Sequence, residues 1–350
     1  MLLKPTRRRA ASMLPLLIAL LLAGCGDTNV QDVNHTPNML IPQGPIALQE
    51  SNLFWMILII STVVFVLVVS ALLYSIVRFR ARPGMPEPTQ THGNTKIEIA
   101  WTVVPSLVLV GVLIATITTM FNIQQPAAPN TITVNAVGHQ WWWEFDYPTQ
   151  GNSQKFVTAD EMWIPTNTVV HINLISNNVI HSFWVPELGG KTDVIPGHDN
   201  EMWIQADRSG WYRGECGEYC GTQHAHMDFL VHAVSPSAYQ AWVTQQQQVA
   251  AQPTDALAQA GAKYFAASAC IGCHAIDGVT TTDQSKLIGP NLTHFGARKY
   301  IAGGVLENTP TNLAAWLHNP QSVKDGVDMP DLGLTNDQIN ELVAYLDSLQ

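Results

Sequence analysis

The sequence predicts a membrane protein with three structured parts: a two-helix transmembrane hairpin, an all-β sandwich and an all-α domain. Two long uncharged apolar runs come first, short β-rich runs separated by Gly, Pro and Asn follow, and helical patterns frame the C-terminal part. The composition agrees, because only 13% of the residues are charged, whereas ordinary globular chains have about 25%. The formal net charge of −10 argues against nucleic acid as a partner.

The N-terminus has the pattern of a bacterial signal peptide. Lys4 and three arginines precede the apolar run Leu14–Leu22, which is too short to span a bilayer. Leu22-Ala23-Gly24-Cys25 resembles the cleavage site of a lipoprotein, which makes Cys25 the predicted lipidated first residue of the mature chain. Simple cleavage near Ala23 is the alternative.

Two apolar runs predict membrane-spanning helices. Phe54–Val77 and Ile99–Phe121 each exceed the ~20 residues that cross the hydrocarbon core, and neither shows a polar face. Arg and Lys side chains occur in the loop between them and are missing from Asp27–Glu50. The positive-inside rule therefore places the loop in the cytoplasm and both flanks outside.

Glu98 lies at the cytoplasmic end of the second run. Ionisable groups at membrane helices are costly and often functional, so Glu98 is a candidate for the entrance of a proton path. An ordinary interfacial carboxylate is the alternative.

Strand-like composition predicts a β domain after the hairpin. The runs 131–134, 169–174 and 229–234 are rich in β-branched residues and partly alternate. An antiparallel sandwich or barrel of about a hundred residues accommodates them.

Soft metal ligands are concentrated in one loop between two predicted strands. The loop contains Cys216, Cys220, His224 and Met227. Thiolate, imidazole and thioether ligands favour copper, and a weak Met ligand is typical of electron-transfer copper. A single thiolate would suit one ion, whereas two can bridge a pair. Structural zinc, for which a thioether has no use, and a disulfide are the alternatives.

A copper pair needs a second imidazole from elsewhere in the chain. His181 follows a strand-like run and is the predicted ligand, while His226 and His232 are competing candidates. The segment Gly138–Trp143 contains three consecutive Trp residues. These pack in the core, as large aromatic residues commonly do, or one of them lies exposed beside the copper and couples electrons in.

The motif C-x-x-C-H predicts covalent attachment of haem c in the C-terminal domain. Cys270 and Cys273 would form the thioethers and His274 would be the proximal iron ligand. Met329, the only Met of this domain, is the predicted second axial ligand, and a Met ligand raises the reduction potential. His294 and His318 compete for that position, and a redox-active CxxC is the alternative reading of the motif.

A capping box at Thr335–Gln338 predicts the start of the final helix. Its expected apolar face consists of Ile339, Leu342, Val343, Leu346 and Leu349.

Residues 50–235 resemble subunit II of the haem–copper cytochrome c oxidases. The pattern C-x-E-x-C-x3-H-x2-M with a distant His carries the resemblance, together with the two spans, the aromatic segment and Lys191–Gly197. The resemblance implies a cupredoxin-like fold that holds the binuclear mixed-valence copper centre CuA. The implied ligands are Cys216 and Cys220 as bridges, His181 and His224 as caps, and Met227 and the backbone carbonyl of Glu218 as weak ligands.

The same resemblance assigns further roles. The Glu218 side chain would point toward a magnesium ion shared with subunit I, Trp141 would be the tryptophan at which electrons enter, and Glu98 would be the acid at the mouth of a proton path. His198 stands where many family members carry Arg, so the contact made by that Arg at the subunit I interface is not implied here.

Residues 257–350 resemble a class I cytochrome c in the C-x-x-C-H motif and in Gly289–Leu292. A subunit II with a fused cytochrome c is a known oxidase variant. The combined resemblance implies that cytochrome c or another periplasmic or membrane donor reduces the haem c, that CuA accepts the electron, and that subunit I reduces O2 to water while protons are pumped. The chain would be one subunit of this proton-translocating oxidoreductase, without an O2-reducing site of its own.

The implied location is the bacterial inner (plasma) membrane, as a multi-pass protein beside other oxidase subunits, with the C-terminal domains on the periplasmic side. Three alternatives stay open. They are the electron-accepting subunit of a related CuA-containing nitric oxide reductase, a copper-delivery lipoprotein, for which the haem motif has no use, and a quinol oxidase subunit II, a type that lacks copper ligands.

The predicted divisions are a signal peptide (1–24), an outside N-terminal segment (25–53), a transmembrane hairpin (54–121) with a cytoplasmic loop (78–97), a CuA domain (127–235), a linker (236–256) and a cytochrome c domain (257–350).

Overall fold

A computed structural model describes residues 32–124, 131–149, 154–281 and 287–350. The predicted fold class is confirmed: two apolar helices, a β sandwich and a helical C-terminal domain follow one another along the chain. The predicted signal peptide and Cys25 lie outside the described residues.

The two apolar helices are α1 (Pro45–Arg78) and α2 (Thr95–Gln124). Their most apolar windows have mean hydropathies of 3.0 and 2.2, and none of either window is buried inside the protein. Such faces are stable only against lipid or another apolar surface. By length and composition both helices can cross a membrane.

The hairpin is fixed to the sandwich at the start of α1 and at the end of α2. Helix α1 begins at Pro45 rather than at the predicted Phe54, because its first turn is buried against the next domain, where Ala47 N–H donates to the Leu188 carbonyl (3.4 Å). At the end of α2, Trp203 Nε1 donates to the Ile123 carbonyl (2.7 Å).

Ten strands build the sandwich. They are β1 (Thr131–His139), β2 (Trp142–Tyr147), β3 (Phe156–Ala159), β4 (Glu161–Pro165), β5 (Val169–Ser176), β6 (His181–Trp184), β7 (Thr192–Val194), β8 (Asn200–Ile204), β9 (Gly210–Cys216) and β10 (Asp228–Val234). One sheet has the order β3-β2-β1-β5-β8 and the other β4-β10-β9-β6-β7. The pairs β1–β5 and β4–β10 are parallel and the rest are antiparallel.

The sandwich core is dominated by large aromatic side chains between the two sheets. Trp143, Phe145, Phe183 and Phe229 are each at most 1% exposed, and their ring centroids lie 4.7 to 6.4 Å apart. Tilted and edge-to-face contacts of this kind add to the burial energy of the rings. The copper-loop residues Cys216, Cys220 and Met227 belong to the same core.

The segment 236–256, predicted as a linker with a possible helical part, starts with helix α3 (Pro236–Gln246). This helix is packed on the sandwich rather than solvated, because Tyr239, Trp242 and Val243 are buried in the sandwich core. The Trp242 ring stacks on Trp163 with centroids 5.1 Å apart. Farther along, Ala250 N–H donates to the Asp277 carbonyl (3.0 Å), so little of the segment is free.

The C-terminal domain contains α4 (Ala256–Ala267), the short strands β11 (Tyr300–Ile301) and β12 (Leu306–Glu307), α5 (Pro310–His318), α6 (Pro320–Val323) and α7 (Asn336–Asp347). Helices α4 and α7 cross at Gly261, where any Cβ would collide with the Glu341 carbonyl. The predicted capping box is confirmed, since the Thr335 side chain and the Gln338 side chain each accept the other's backbone N–H. The expected apolar face of α7 is buried or partly buried.

Candidate metal centre and haem pocket

Strand pairing brings the distant His181 to the cysteine loop. Strand β9 ends at Cys216, and its neighbour β6 places Phe183 directly opposite Cys216. His181, two residues before Phe183 on β6, therefore reaches the start of the loop and is fully buried there. His181, Cys216 and Cys220 offer ligand atoms within 4.8 Å of one another.

The ligand atoms divide into two sets around the two sulfurs. Cys216 Sγ lies 3.9 Å from His181 Nδ1 and 3.2 Å from the Glu218 carbonyl oxygen. Cys220 Sγ lies 3.7 Å from His224 Nδ1 and 3.8 Å from Met227 Sδ. The two sulfurs are 3.8 Å apart. Each sulfur thus has one imidazole and one weaker donor beside it, and the two sulfurs lie next to each other between the two sets.

This donor set fits two soft metal ions. The sulfurs are not bonded to each other, since a disulfide bond is about 2.05 Å long, and the gap leaves room for bridged ions. Met227 Sδ faces the cluster from a fully buried side chain, an arrangement that suits copper and that zinc would not use. The hydrogen bond between the two sulfurs lowers the pKa of Cys216, so thiolate, the ligating form, is favoured there.

Neighbouring polar groups orient the cluster. The Asn178 side-chain oxygen lies 3.1 Å from His181 Nε2 and accepts its proton, which leaves Nδ1 free to face the sulfur. Lys191 Nζ donates to the Gly217 carbonyl (2.8 Å). Gln140 Nε2 and Trp141 Nε1 both donate to the Cys220 carbonyl, at 2.8 and 3.1 Å.

The competing histidines have other surroundings. His232 stacks on Trp211 with centroids 3.6 Å apart and also contacts Trp163, and burial lowers its pKa to about 4. His226 bonds through Nδ1 to Gln223 Oε1 (2.6 Å). Among the described residues, neither belongs to the cluster of His181 and the two cysteines.

The three consecutive Trp residues take three different positions. Trp143 is fully buried in the sandwich core, as core packing requires. Trp142 Nε1 donates to the Ile288 carbonyl of the C-terminal domain (3.3 Å). Trp141 is half-buried, bonds to the copper loop at Cys220, and also lines the cavity described next.

A cavity of about 250 Å3 lies around the C-x-x-C-H motif. Most of its wall is apolar, from α4, α5 and α7, which suits a buried porphyrin. Cys270, Cys273, His274 and Met329 all line it. Residues of the sandwich close one side of the cavity, among them Trp141 and Trp142.

His274 is oriented for ligation through one nitrogen. Its Nδ1–H donates to the Pro290 carbonyl (2.9 Å), which leaves Nε2 without a proton. Burial lowers the pKa of His274, so the neutral ring that binds iron is favoured. Gly289 is required beside it, because a Cβ there would lie 2.6 Å from His274 Cε1.

The three candidates for the second axial ligand have different surroundings. Met329 lines the cavity, whereas His294 and His318 do not appear among its described lining residues. His294 Nδ1 instead bonds to the Gln350 carbonyl (3.0 Å). The geometry therefore fits a His–Met pair.

The side chains of the remaining predicted residues have the following surroundings. Glu98 is exposed in the first turn of α2. The Glu218 side chain accepts the Tyr219 N–H (3.2 Å). His198 is exposed in the turn closed by the Ile195–His198 bridge.

Sequence reasoning missed the contacts that join the two outer domains. Lys324 Nζ of the C-terminal domain donates to the Trp141 carbonyl (2.6 Å). Gln223 Nε2 of the copper loop donates to the Asp325 carbonyl (2.6 Å), and Asp228 N–H donates to the Gly303 carbonyl (3.1 Å). Among the residues of these contacts, the Gly303-Gly304 pair is the one sequence feature that suggests close packing of two backbones.

Comparison with known proteins assigns families to all three parts. The family model "Cytochrome C oxidase subunit II, transmembrane domain" matches residues 37–136, "Cytochrome C oxidase subunit II, periplasmic domain" matches 149–234, and "Cytochrome c" matches 258–350.

Named relatives match the chain over nearly its whole length. Cytochrome c oxidase subunit 2 of Alkalihalophilus pseudofirmus is 39% identical, with 98% of both chains covered. The protein of the same name from Bacillus sp. (strain PS3) is 38% identical, with 95% of both chains covered. A crystal structure of the periplasmic domain of subunit II of cytochrome oxidase from Bradyrhizobium japonicum is 33% identical, with a TM-score of 0.32, over 35% of this chain and 96% of that one.

Proposed function

The chain belongs to the cytochrome c oxidase subunit II family, in a form with a C-terminal cytochrome c domain, and from that premise we propose that it delivers electrons to the subunit I of a bacterial terminal oxidase. The observation that carries the proposal is that one residue, Trp141, contacts both candidate sites. Its indole N–H bonds to the copper loop at Cys220, and its side of the sandwich closes the cavity that contains His274 and Met329.

The residues proposed to hold the copper pair are those of the two sets around the sulfurs. Cys216, Cys220, His181 and His224 would hold the two coppers, with Met227 and the Glu218 carbonyl as weaker ligands. In the second site Cys270 and Cys273 would attach haem c, and His274 and Met329, which line the same cavity, would be its iron ligands. When bound, these groups supply one-electron oxidation and reduction, from an external donor toward subunit I.

The protein's own contribution is to hold ligands still and to exclude water. The side chains of Cys216, Cys220, His181 and Met227 are buried. Both ends of the loop are fixed, because β9 ends at Cys216 and β10 begins at Asp228. A site that does not rearrange between two oxidation states loses little energy to reorganisation. This favours electron transfer over release of the metal, and it separates the proposal from copper delivery, which needs exchangeable ligands.

The setting we propose is the inner membrane of a bacterium. Helices α1 and α2 cross it with the loop between them in the cytoplasm, because that loop carries the Arg and Lys residues near the membrane. The uncovered apolar faces of the two helices pack against lipid and against subunit I. O2 reduction and proton pumping belong to the complex, with Glu98 proposed at the entrance of a proton path and a magnesium ion proposed near the Glu218 side chain.

The second candidate is the corresponding subunit of a nitric oxide reductase. The ligand set around Cys216 and Cys220 would serve either complex equally, and the partner subunit decides between the two. Assay of the purified complex for O2 and for NO consumption distinguishes them.

Electron paramagnetic resonance of the purified full chain tests the copper assignment. We expect hyperfine structure from one electron shared equally by two copper nuclei, together with a low-spin haem signal. The Cys220→Ser variant removes one bridge and should convert the first signal to that of a single copper or abolish it. Ser268→Ala, a change beside Cys270 in the haem domain, is the matched control and should leave the copper signal unchanged. A single-copper signal in the unaltered, copper-replete chain would refute the binuclear site.

A further inference from the structure

A buried lysine connects the two outer domains. Lys324 follows α6 in the cytochrome domain and is 2% exposed. Its ammonium donates to the Trp141 carbonyl (2.6 Å) on the sandwich and to the Ala302 carbonyl (2.9 Å) on its own domain. A buried ammonium is costly unless it is paired, and the nearby carboxylates of Asp160 and Asp228 on the sandwich provide favourable charge.

The loop Ala302–Gly304, between β11 and β12, lies against the same place. All three residues have positive φ values, of 58°, 70° and 84°, so the backbone turns sharply there. A Cβ on Gly303 would collide with Lys324 Nζ and lie 2.7 Å from the Trp141 carbonyl oxygen. A Cβ on Gly304 would lie 2.8 Å from Asp228 Cβ. Glycine is thus required by backbone geometry and by the closeness of the other domain.

These contacts reach both sides of the proposed metal ligands. The Gly303 carbonyl accepts the Asp228 N–H, one residue after Met227. The Asp325 carbonyl, one residue after Lys324, accepts from Gln223, one residue before His224. The cytochrome domain therefore contacts the loop next to the proposed ligands Met227 and His224, and it also contacts Trp141.

We propose that Lys324 and the loop Ala302–Gly304 form a positioning element that fixes the cytochrome domain on Trp141 and the copper loop. The transfer distance between the two sites is then set by a permanent contact rather than by encounters of a tethered domain. This inference rests on the proposed function for its role in electron transfer, whereas the docking itself stands on the contacts above. Lys324 acts through Trp141 and the loop and is a positioning residue.

The test compares variants of the full chain within its oxidase complex. Lys324→Met removes the charge and the hydrogen bonds, and Lys324→Gln keeps a donor without the charge. Gly303→Ala adds a methyl group that would collide with Lys324 Nζ and the Trp141 carbonyl and so push the two domains apart. Two controls are matched to them. Lys263→Met changes an exposed lysine of the same domain, and Gly333→Ala changes a glycine with φ of 62° beside which nothing lies within 4 Å.

Hydrogen exchange of the Asp228 amide reports docking directly. We expect exchange to become about tenfold faster or more in Lys324→Met and in Gly303→Ala, because a buried hydrogen bond to a charged group is lost or displaced. Lys324→Gln should fall between these variants and the unaltered chain. Both controls should exchange as the unaltered chain does.

The rate of electron transfer from haem c to copper after pulsed reduction reports the functional consequence. We expect it to slow by about tenfold or more in the same two variants, with the haem and copper contents unchanged. Unchanged exchange and unchanged transfer in Lys324→Met and Gly303→Ala would overturn the proposal. If Lys324→Met does not accumulate, Gly303→Ala against Gly333→Ala decides the matter. Absence of haem-to-copper transfer in the unaltered chain would refute the proposed function, while the exchange comparison would still test docking.

Discussion

Among single residues, Met329 has the most specific consequence for the haem site. Met329 lines the same cavity as His274. Its backbone carbonyl accepts from Gln321 Nε2 (3.0 Å), which fixes the segment. A thioether ligand stabilises the reduced iron and raises the potential.

Replacing Met329 by Leu keeps the volume and removes the sulfur. We expect the reduction potential of haem c to fall by on the order of 100 mV, because axial ligation sets a large part of it. Redox titration of the haem absorbance measures the change, and loss of the sulfur-to-iron absorption band should accompany it. Met85→Leu, in the exposed loop between α1 and α2, is the control. A potential that survives in Met329→Leu, together with no such band in the unaltered chain, would move the ligand assignment to His294 or His318.

The metal ligands in the loop 216–227 could be predicted because they lie close together in the sequence. Cys216, Cys220, His224 and Met227 lie within one turn region, so the order of ligand types alone predicts the chemistry. His181 was predicted from its place after a strand-like run and from the resemblance, and the pairing of β6 with β9 is what brings it to the loop. Lys324 gave no local signal, because its role arises from a carbonyl that lies 183 residues earlier in the chain.

At the scale of elements, α7 shows how a terminal helix supports the haem pocket. Its face contributes Leu342 and Leu346 to the cavity wall, and Tyr345 packs against Phe265 of α4 with ring centroids 6.0 Å apart. The start of the helix is fixed by the reciprocal bonds of Thr335 and Gln338. Loss of the first turn would therefore loosen the wall of the haem site.

Thr335→Ala tests this cap. We expect the free energy of unfolding of the cytochrome domain to fall by about 1 kcal/mol, the usual value of an N-cap side chain. Denaturant titration of the full chain, followed through the haem absorbance, measures it. Thr335→Ser keeps the hydroxyl and should retain most of the stability. Equal losses in the Ala and Ser variants would show that the methyl group, and not the cap, stabilises the helix.

The element that sequence reasoning described least well is α3. The Gln-rich composition around residues 245–248 suggested a polar linker with little to bury. Tyr239, Trp242 and Val243 lie on one face at helical spacing, however, and that face packs on the sandwich. Low average hydrophobicity concealed three large buried side chains, because a short helix needs only one apolar face to pack.

On the scale of the whole molecule, the two outer domains meet across buried charges as well as at Trp141. Asp160 and Glu161 at the start of β4 are 7% and 6% exposed. Lys299 N–H of the cytochrome domain donates to the Glu161 carboxylate, and the charge of Arg298 acts on both acids. Two acidic residues of the sandwich thus pack against basic residues of the cytochrome domain. Composition does not predict this pairing, since the residues are far apart in sequence.

The stability of this interface should depend on pH in a definite direction. Burial raises the pKa of Glu161 to about 7 and that of Asp160 to about 6. At pH values between the ordinary carboxyl pKa and these raised pKa values, the docked form binds protons that the separated form does not. The stabilisation linked to Glu161 is therefore complete below about pH 4.5 and is lost as the pH rises through about 7.

Glu161→Gln removes this titration and keeps the shape of the side chain. For the unaltered chain, we expect the free energy that holds the domains together to fall between pH 5 and 8 by at most on the order of 3 kcal/mol. In Glu161→Gln the fall should be smaller, with Asp160 supplying what remains. Exchange of the Asp228 amide at each pH, corrected for intrinsic exchange, measures it without unfolding the protein. Glu307→Gln, an exposed acid of the cytochrome domain, should retain the full dependence. Equal dependence in Glu161→Gln and the unaltered chain would mean that Glu161 keeps its charge in the interface, with Arg298 and the backbone N–H groups of Lys299 and Tyr300 outweighing burial.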